Sequence, residues 1–254
     1  MLRFASLGSG SRGNATLVEA GATCVLVDCG FSVRETQRRL ARLGKAPEEL
    51  NAILVTHEHR DHIGGVAALA RRFAIPVWMS AGTAVMYGAS EHSSLNSFDG
   101  HAPFALGDLH VTPFPVPHDA REPCQFVFSD GAVRLGVLTD TGSITAHIRQ
   151  VLEGCEALLL ECNHDAGLLA AGPYPPRLKQ RVAGRLGHLS NAQAAGLLAG
   201  LERGGLRHLV AAHLSDTNNR PALARAALAE ALGCAPDWIG IADQAQGLAW
   251  RQVG

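Results

Sequence analysis

Short apolar runs, cut by Gly, Asp or Pro, recur along this chain and alternate with stretches whose apolar positions fall at helical spacing. In the first half, an opening strand follows Met1-Leu2-Arg3, and further strands are expected at Thr16–Glu19, Cys24–Val27, Ala52–Val55 and Pro76–Met79. Helices are expected over Val33–Leu43 and over Ile63–Phe73, where Ile63, Val66, Ala67, Ala70 and Phe73 fall at helical spacing. The segment Glu91–Pro103 is polar and contains glycine, so it is expected to be a loop lying over a site. In the second half, strands are expected at Leu109–Thr112, Cys124–Phe128, Val133–Leu138, Ala157–Leu160 and His208–Ala211. Ser190-Asn191 can cap a helix running to Leu201, and Pro221 can open another that stops at Leu232, before Gly233. Two strand-rich halves with attached helices predict one α/β (α+β) domain over residues 1–254, with two sheets face to face and helices outside.

The most informative polar interruption follows the strand Ala52–Val55. Thr56-His57-Glu58-His59-Arg60-Asp61-His62 packs three imidazoles and two carboxylates into seven residues. Imidazole nitrogen and carboxylate oxygen suit borderline divalent metals such as zinc. On an extended segment His57, His59 and Asp61 share one parity, and His62 adds a ligand from the next turn. One short segment can therefore offer ligands to two adjacent ions. Other candidates also stand just past apolar strands: Asp28, His118, Asp140 and His213. Strand ends are where rigid elements present side chains to a shared cleft.

Together these residues resemble the metallo-β-lactamase superfamily over nearly the whole chain. Asp28 matches that family's first acidic motif, and His57, His59, Asp61 and His62 match its H-x-H-x-D-H motif. His118, Asp140 and His213 match the third-motif histidine, the bridging aspartate and the last histidine. The resemblance implies a four-layer αββα sandwich of two mixed sheets flanked by helices. It also implies a dinuclear hydrolase working through a metal-bridging hydroxide. His57, His59 and His118 would hold one ion, Asp61, His62 and His213 the other, and Asp140 would bridge them. Asp61 is assigned to the chemistry as well as to the metals, and Asp28 is expected to orient a ligand from behind. Zinc is the first choice of metal, with manganese as the alternative.

Further segments resemble the YycJ (WalJ)-type branch, nucleases related to ribonuclease Z. They are Glu161-Cys162-Asn163-His164-Asp165, Gly172-Pro173-Tyr174-Pro175-Pro176-Arg177-Leu178-Lys179, Gly187-His188-Leu189-Ser190-Asn191 and the run from Ala212 to Asn219. The G-H-L-S-N segment resembles the ribonuclease Z element whose histidine faces the scissile phosphate. That implies His188 as proton donor or phosphate contact, although His188 and His213 compete for one ligand position. The Gly/Ser loop Ser6-Leu7-Gly8-Ser9-Gly10-Ser11-Arg12-Gly13-Asn14 can bring backbone N–H groups to a phosphate, with Ser9, Ser11 and Asn14 as candidate substrate contacts. Between Pro173 and Ser190 stand Arg177, Lys179, Arg181 and Arg185 and no acid. Arg177 and Lys179 are accordingly read as substrate-binding residues.

Composition limits the choice without making it. The formal net charge is −1 and aromatic residues are 5% of the chain, so a nucleic-acid partner would have to be met by a local basic groove. There is no C-x-x-C pair among six cysteines and no apolar stretch near the length that crosses a bilayer, so a cytoplasmic chain with reduced thiols and no membrane contact is expected. The favoured function is a phosphodiesterase or exonuclease-like nuclease acting on DNA or RNA. The alternative is a thioester, lactone or phosphoester hydrolase of the same fold. Oligomeric state leaves no signal in the sequence.

Overall fold

The structure, a computed structural model, describes residues 1–87, 95–202 and 204–254. Strands β1 (Leu2–Gly8), β2 (Ala15–Ala20), β3 (Thr23–Val27), β4 (Ala52–Leu54), β5 (Val77–Ser80) and β6 (Leu95–Phe98) lie side by side in that order. A second sheet contains β7 (Phe104–Leu106), β8 (Leu109–Pro115), β9 (Cys124–Ser129), β10 (Arg134–Leu138), β11 (Ala157–Glu161), β12 (His208–Ala212) and β13 (Gly240–Ile241), also in sequence order. The last strand, β14 (Leu248–Gln252), returns to pair antiparallel with β1. In each sheet three antiparallel pairings are followed by three parallel ones, with the change at β3 in the first sheet and at β10 in the second. The two halves therefore repeat one architecture.

The strands read as continuous apolar runs because both faces are buried. Leu2, Phe4, Val18, Val25 and Val27 meet Phe126, Phe128, Leu135, Val137 and Leu159 between the sheets. The alternate residues face outward. Leu7, Leu17 and Leu26 pack with Leu40, Val66 and Leu69 of α1 (Val33–Arg42) and α3 (Val66–Phe73). On the other side, Leu138, Leu158 and Leu160 pack with residues of three helices. These are Ile148 and Leu152 of α5 (Ala146–Leu152), Leu197 of α8 (Asn191–Ala199) and Leu228 of α9 (Pro221–Leu232). Ser190 and Gln193 form a capping box on α8, while Pro221 opens α9 and Gly233 closes it at φ 66°.

The expected helix over Ile63–Phe73 is broken. α2 (Arg60–Ile63) stops at Gly64-Gly65 before α3 begins. Gly65 N donates to Cys29 O at 2.7 Å, and a Cβ at Gly65 would overlap Phe31 O, so the chain can pass here only as glycine. Part of the expected loop Glu91–Pro103 is also corrected: residues 95–98 form β6, parallel to β5, with Phe98 in the core. Residues 91–94 lie outside the described residues. The short helices α4 (Ala81–Tyr87), α6 (Ala166–Ala171) and α7 (Pro176–Val182) complete the chain. Among the described residues no helix is long and apolar enough to cross a membrane.

Candidate metal centre

Three turns that follow strands share an unusual backbone. Asp28 follows β3, Asp140 follows β10 and His213 follows β12, with φ of 62°, 50° and 52°. The left-handed region costs an L residue on the order of 1–3 kcal/mol and concentrates at functional sites. The only other described non-glycine residue with positive φ is Ala74, which closes α3. The 57–62 segment arrives from β4 and α2, and His118 from the loop after β8. Both sheets thus supply side chains to one edge.

The atoms converge tightly. Donor atoms of His57, His59 and His118 lie within 4.8 Å of one another, as do those of Asp61, His62 and His213. Asp140 joins the two sets, with Oδ2 at 2.8 Å from His213 Nδ1 and 3.1 Å from His62 Nε2, and Oδ1 at 3.9 Å from His118 Nε2. Asp140 Oδ2, His213 Nδ1 and His57 Nε2 are nevertheless buried without a hydrogen-bond partner. Their close approach lacks hydrogen-bond alignment, as expected of lone pairs aimed at a common ion instead of at each other.

The other ring nitrogens are wired outward. Thr56 Oγ1 donates to Asp28 Oδ2 at 2.8 Å, so its lone pair must accept from His57 Nδ1 at 2.9 Å. That fixes the proton on Nδ1 and leaves His57 Nε2 free as a ligand. His62 Nδ1 donates to Asp28 Oδ2 at 2.8 Å, and His118 Nδ1 to Gly187 O at 3.1 Å. His59 uses the opposite edge: Nε2 meets Asp119 O at 3.2 Å, while Nδ1 faces His118 Nε2 at the same separation. Electrostatics follow the wiring. Burial, helped by the charge of His62, pushes His57 well below the ordinary histidine value, towards the neutral ligand form. Burial would also depress His62, but Asp140 and Asp28 outweigh it and hold that imidazole well above the usual range. Burial would raise Asp140, yet His213 and His62 keep its carboxyl well below ordinary carboxylates.

Residues 23–214 match the family described as the beta-lactamase superfamily domain. The chain belongs to this superfamily. A Streptococcus pneumoniae member named exodeoxyribonuclease WalJ is 33% identical over 245 residues, which cover 94% of this chain and 91% of that protein. A Bacillus anthracis member named exodeoxyribonuclease YycJ is 35% identical over 238 residues, covering 91% and 89%. In fold, the chain superposes on the metallo-beta-lactamase fold protein YhfI of Bacillus subtilis with a TM-score of 0.77 at 17% identity, covering 99% and 100% of the two chains. This superfamily member is a metal-dependent hydrolase, and its His/Asp cluster suits a divalent ion.

Other expected site residues take varied places around the superfamily's ligand edge. His188 is near Asp140, at 3.5 Å from Oδ1, but its Nδ1 is held by Glu161 Oε1 at 2.8 Å. His213, unlike His188, also groups with Asp61 and His62. Burial would lower His188, but Glu161 and then Asp140 raise it to about 9. Ser9 and Asn14, expected as substrate contacts, are buried and engaged within the protein. Ser9 Oγ accepts from His213 N at 2.9 Å and donates to Asn14 Oδ1, while Asn14 Nδ2 lies 3.0 Å from His62 Nε2. Ser11 is exposed at the loop tip. Arg177 is exposed on α7, whereas Lys179 turns away to donate to Ala170 O at 2.6 Å.

Sequence reasoning gave no role to Glu161, Thr56 or Asp119. Glu161 is fully buried and also accepts from the N–H groups of Thr141 and Leu189, both at 3.1 Å. A signal for it existed: an acid at the end of the apolar run Ala157–Leu160, as with Asp28 and Asp140.

Proposed function

We propose that this chain is a phosphodiesterase that degrades nucleic acid as an exonuclease, holding two divalent ions and working in the cytoplasm. The observation that carries the reading is similarity along nearly the whole chain to two proteins each named an exodeoxyribonuclease. His57, His59 and His118 would hold one ion, Asp61, His62 and His213 the other, and Asp140 would touch both; the histidine-rich donor set favours zinc over manganese. Once bound, the ions supply Lewis acidity at the phosphoryl group and lower the pKa of the attacking water.

The protein's own groups do the rest. Asp28, Thr56 and Gly187 O hold His57, His62 and His118 in orientation. Asp61 is the partly exposed carboxylate of the ligand sets, so it can accept a proton from water entering the centre. Glu161 accepts a hydrogen bond from His188 Nδ1–H, which stabilises the doubly protonated ring and leaves its other N–H to protonate the leaving oxygen.

The test is cleavage of end-labelled single- and double-stranded DNA and RNA by zinc- or manganese-loaded protein. Mononucleotide release is expected, abolished by His59→Ala and slowed roughly 10²–10⁴-fold by His188→Ala. Intact oligonucleotides beside rapid hydrolysis of thioesters or lactones would overturn the reading in favour of a small-molecule hydrolase.

A further inference from the structure

The four cations of the 173–190 segment differ sharply in where they reach. Arg181, at the end of α7, is the one tied to the metal centre among the described ion pairs: its Nε donates to Asp119 Oδ2 at 2.6 Å. The other oxygen of that carboxylate lies 3.6 Å from His118 Nε2 and 3.8 Å from His59 Nε2. Arg177 and Arg185 are exposed, and Lys179 bonds to its own surroundings.

The backbone that carries Arg181 is pinned to the centre. His188 N donates to Val182 O at 2.8 Å, Asp119 N donates to Leu186 O at 3.0 Å, and Gly187 O accepts a hydrogen bond from His118 Nδ1. The Arg181 side chain is nevertheless 56% exposed, so the ion pair leaves guanidinium N–H groups open to solvent. Exposed Arg–carboxylate pairs hold weakly, whereas the guanidinium fork matches two phosphate oxygens at once. Asp119 alone would repel a polyanion from this side of the centre, and its pairing with Arg181 removes that barrier.

We propose that Arg181 grips a phosphate flanking the scissile bond of a nucleic-acid substrate, and that Asp119 holds the guanidinium ready at the mouth of the metal centre. This rests on the phosphodiesterase reading and adds to it a residue that distinguishes a polynucleotide from an isolated phosphodiester.

The experiment compares metal-loaded wild type, Arg181→Ala and Arg181→Lys on a single-stranded oligonucleotide and on bis(p-nitrophenyl) phosphate, which has no flanking phosphate. Arg181→Ala is expected to raise the oligonucleotide KM at least 10-fold with kcat within about 3-fold. That rise should exceed any change on the small diester at least 5-fold, and Arg181→Lys should recover part of it. The slope of log(kcat/KM) against log salt should become shallower by about 0.7, the loss of one phosphate contact on a single strand. An equal fall of kcat on both substrates would overturn the proposal, since Arg181 would then act by keeping Asp119 off His59. An unchanged oligonucleotide KM would overturn it while leaving the nuclease reading intact. Wild type that hydrolyses the small diester but no oligonucleotide would overturn both.

Discussion

Asp28→Asn isolates what one buried carboxylate does for the centre. Asp28 is 3% exposed and accepts three hydrogen bonds, from Thr56 N, Thr56 Oγ1 and His62 Nδ1, each at 2.8 Å. Asparagine tolerates the left-handed φ of 62° as well as aspartate does, so the backbone should survive the change. Its amide oxygen can keep the Thr56 N–H, but its NH₂ then faces both the Thr56 hydroxyl and His62 Nδ1. His62 is driven to carry its proton on Nε2, the nitrogen facing Asp140, where a proton blocks ligation. A hydrogen bond to a charged group contributes about 1.5–3 kcal/mol, which corresponds to roughly 10–100-fold in metal affinity. Competition against a chromogenic zinc chelator would measure that loss directly, with thermal unfolding of the metal-free protein as a control for fold. Asp28→Ala should show the same affinity loss plus about 1 kcal/mol of backbone strain. Metal affinity in Asp28→Asn within 2-fold of wild type would refute the tautomer argument.

Two other outcomes follow from packing and charge. Gly65→Ala should destabilise by at least about 2–3 kcal/mol in urea unfolding, because its Cβ would overlap Phe31 O, a backbone atom that cannot yield cheaply; a loss below 0.5 kcal/mol would show that the α2–α3 break has slack. Burial would raise the Glu19 carboxyl, but Lys45 Nζ at 2.6 Å and the Arg3 guanidinium together lower it. A depressed folded-state value means its stabilisation is present above the unfolded glutamate value near 4.3 and lost as pH falls through the folded value. Glu19→Gln should therefore cost on the order of 1 kcal/mol at pH 7, and its denaturation midpoint should draw progressively towards wild type as pH falls below about 4.3.

The convergence of the 57–62 segment was legible because its four candidate ligands, His57, His59, Asp61 and His62, lie within six residues, where local spacing largely decides what can meet. The strand-end acids and histidines were legible because apolar runs buried on both faces mark where each strand stops. What local pattern could not carry was partnership across the fold. Glu161 and His188 are 27 residues apart and meet only because β11 and the α7–α8 turn reach the same edge. Ser9 and Asn14 looked like a phosphate loop, but the fold buries them against His213 and His62. Lys179 and Arg181 are two residues apart in sequence, yet on a helix that rotation sends one to Ala170 and the other to Asp119. β6 was missed because Leu95-Asn96-Ser97-Phe98 offers too little apolar alternation, and its pairing with β5 supplies what propensity does not.

The candidate ligand sets draw on both sheets, joining the 57–62 segment of one half to Asp140 and His213 of the other. An ion held there would act as a clasp between half-molecules that the covalent chain leaves far apart, and would favour the folded state by mass action, increasingly so as its concentration rises above its Kd. Protein made under metal starvation would open more often at this edge and be cleared faster by proteases. Cellular abundance would then report metal supply before any substrate is encountered, making the same residues both the working parts and a gauge of whether the parts can work.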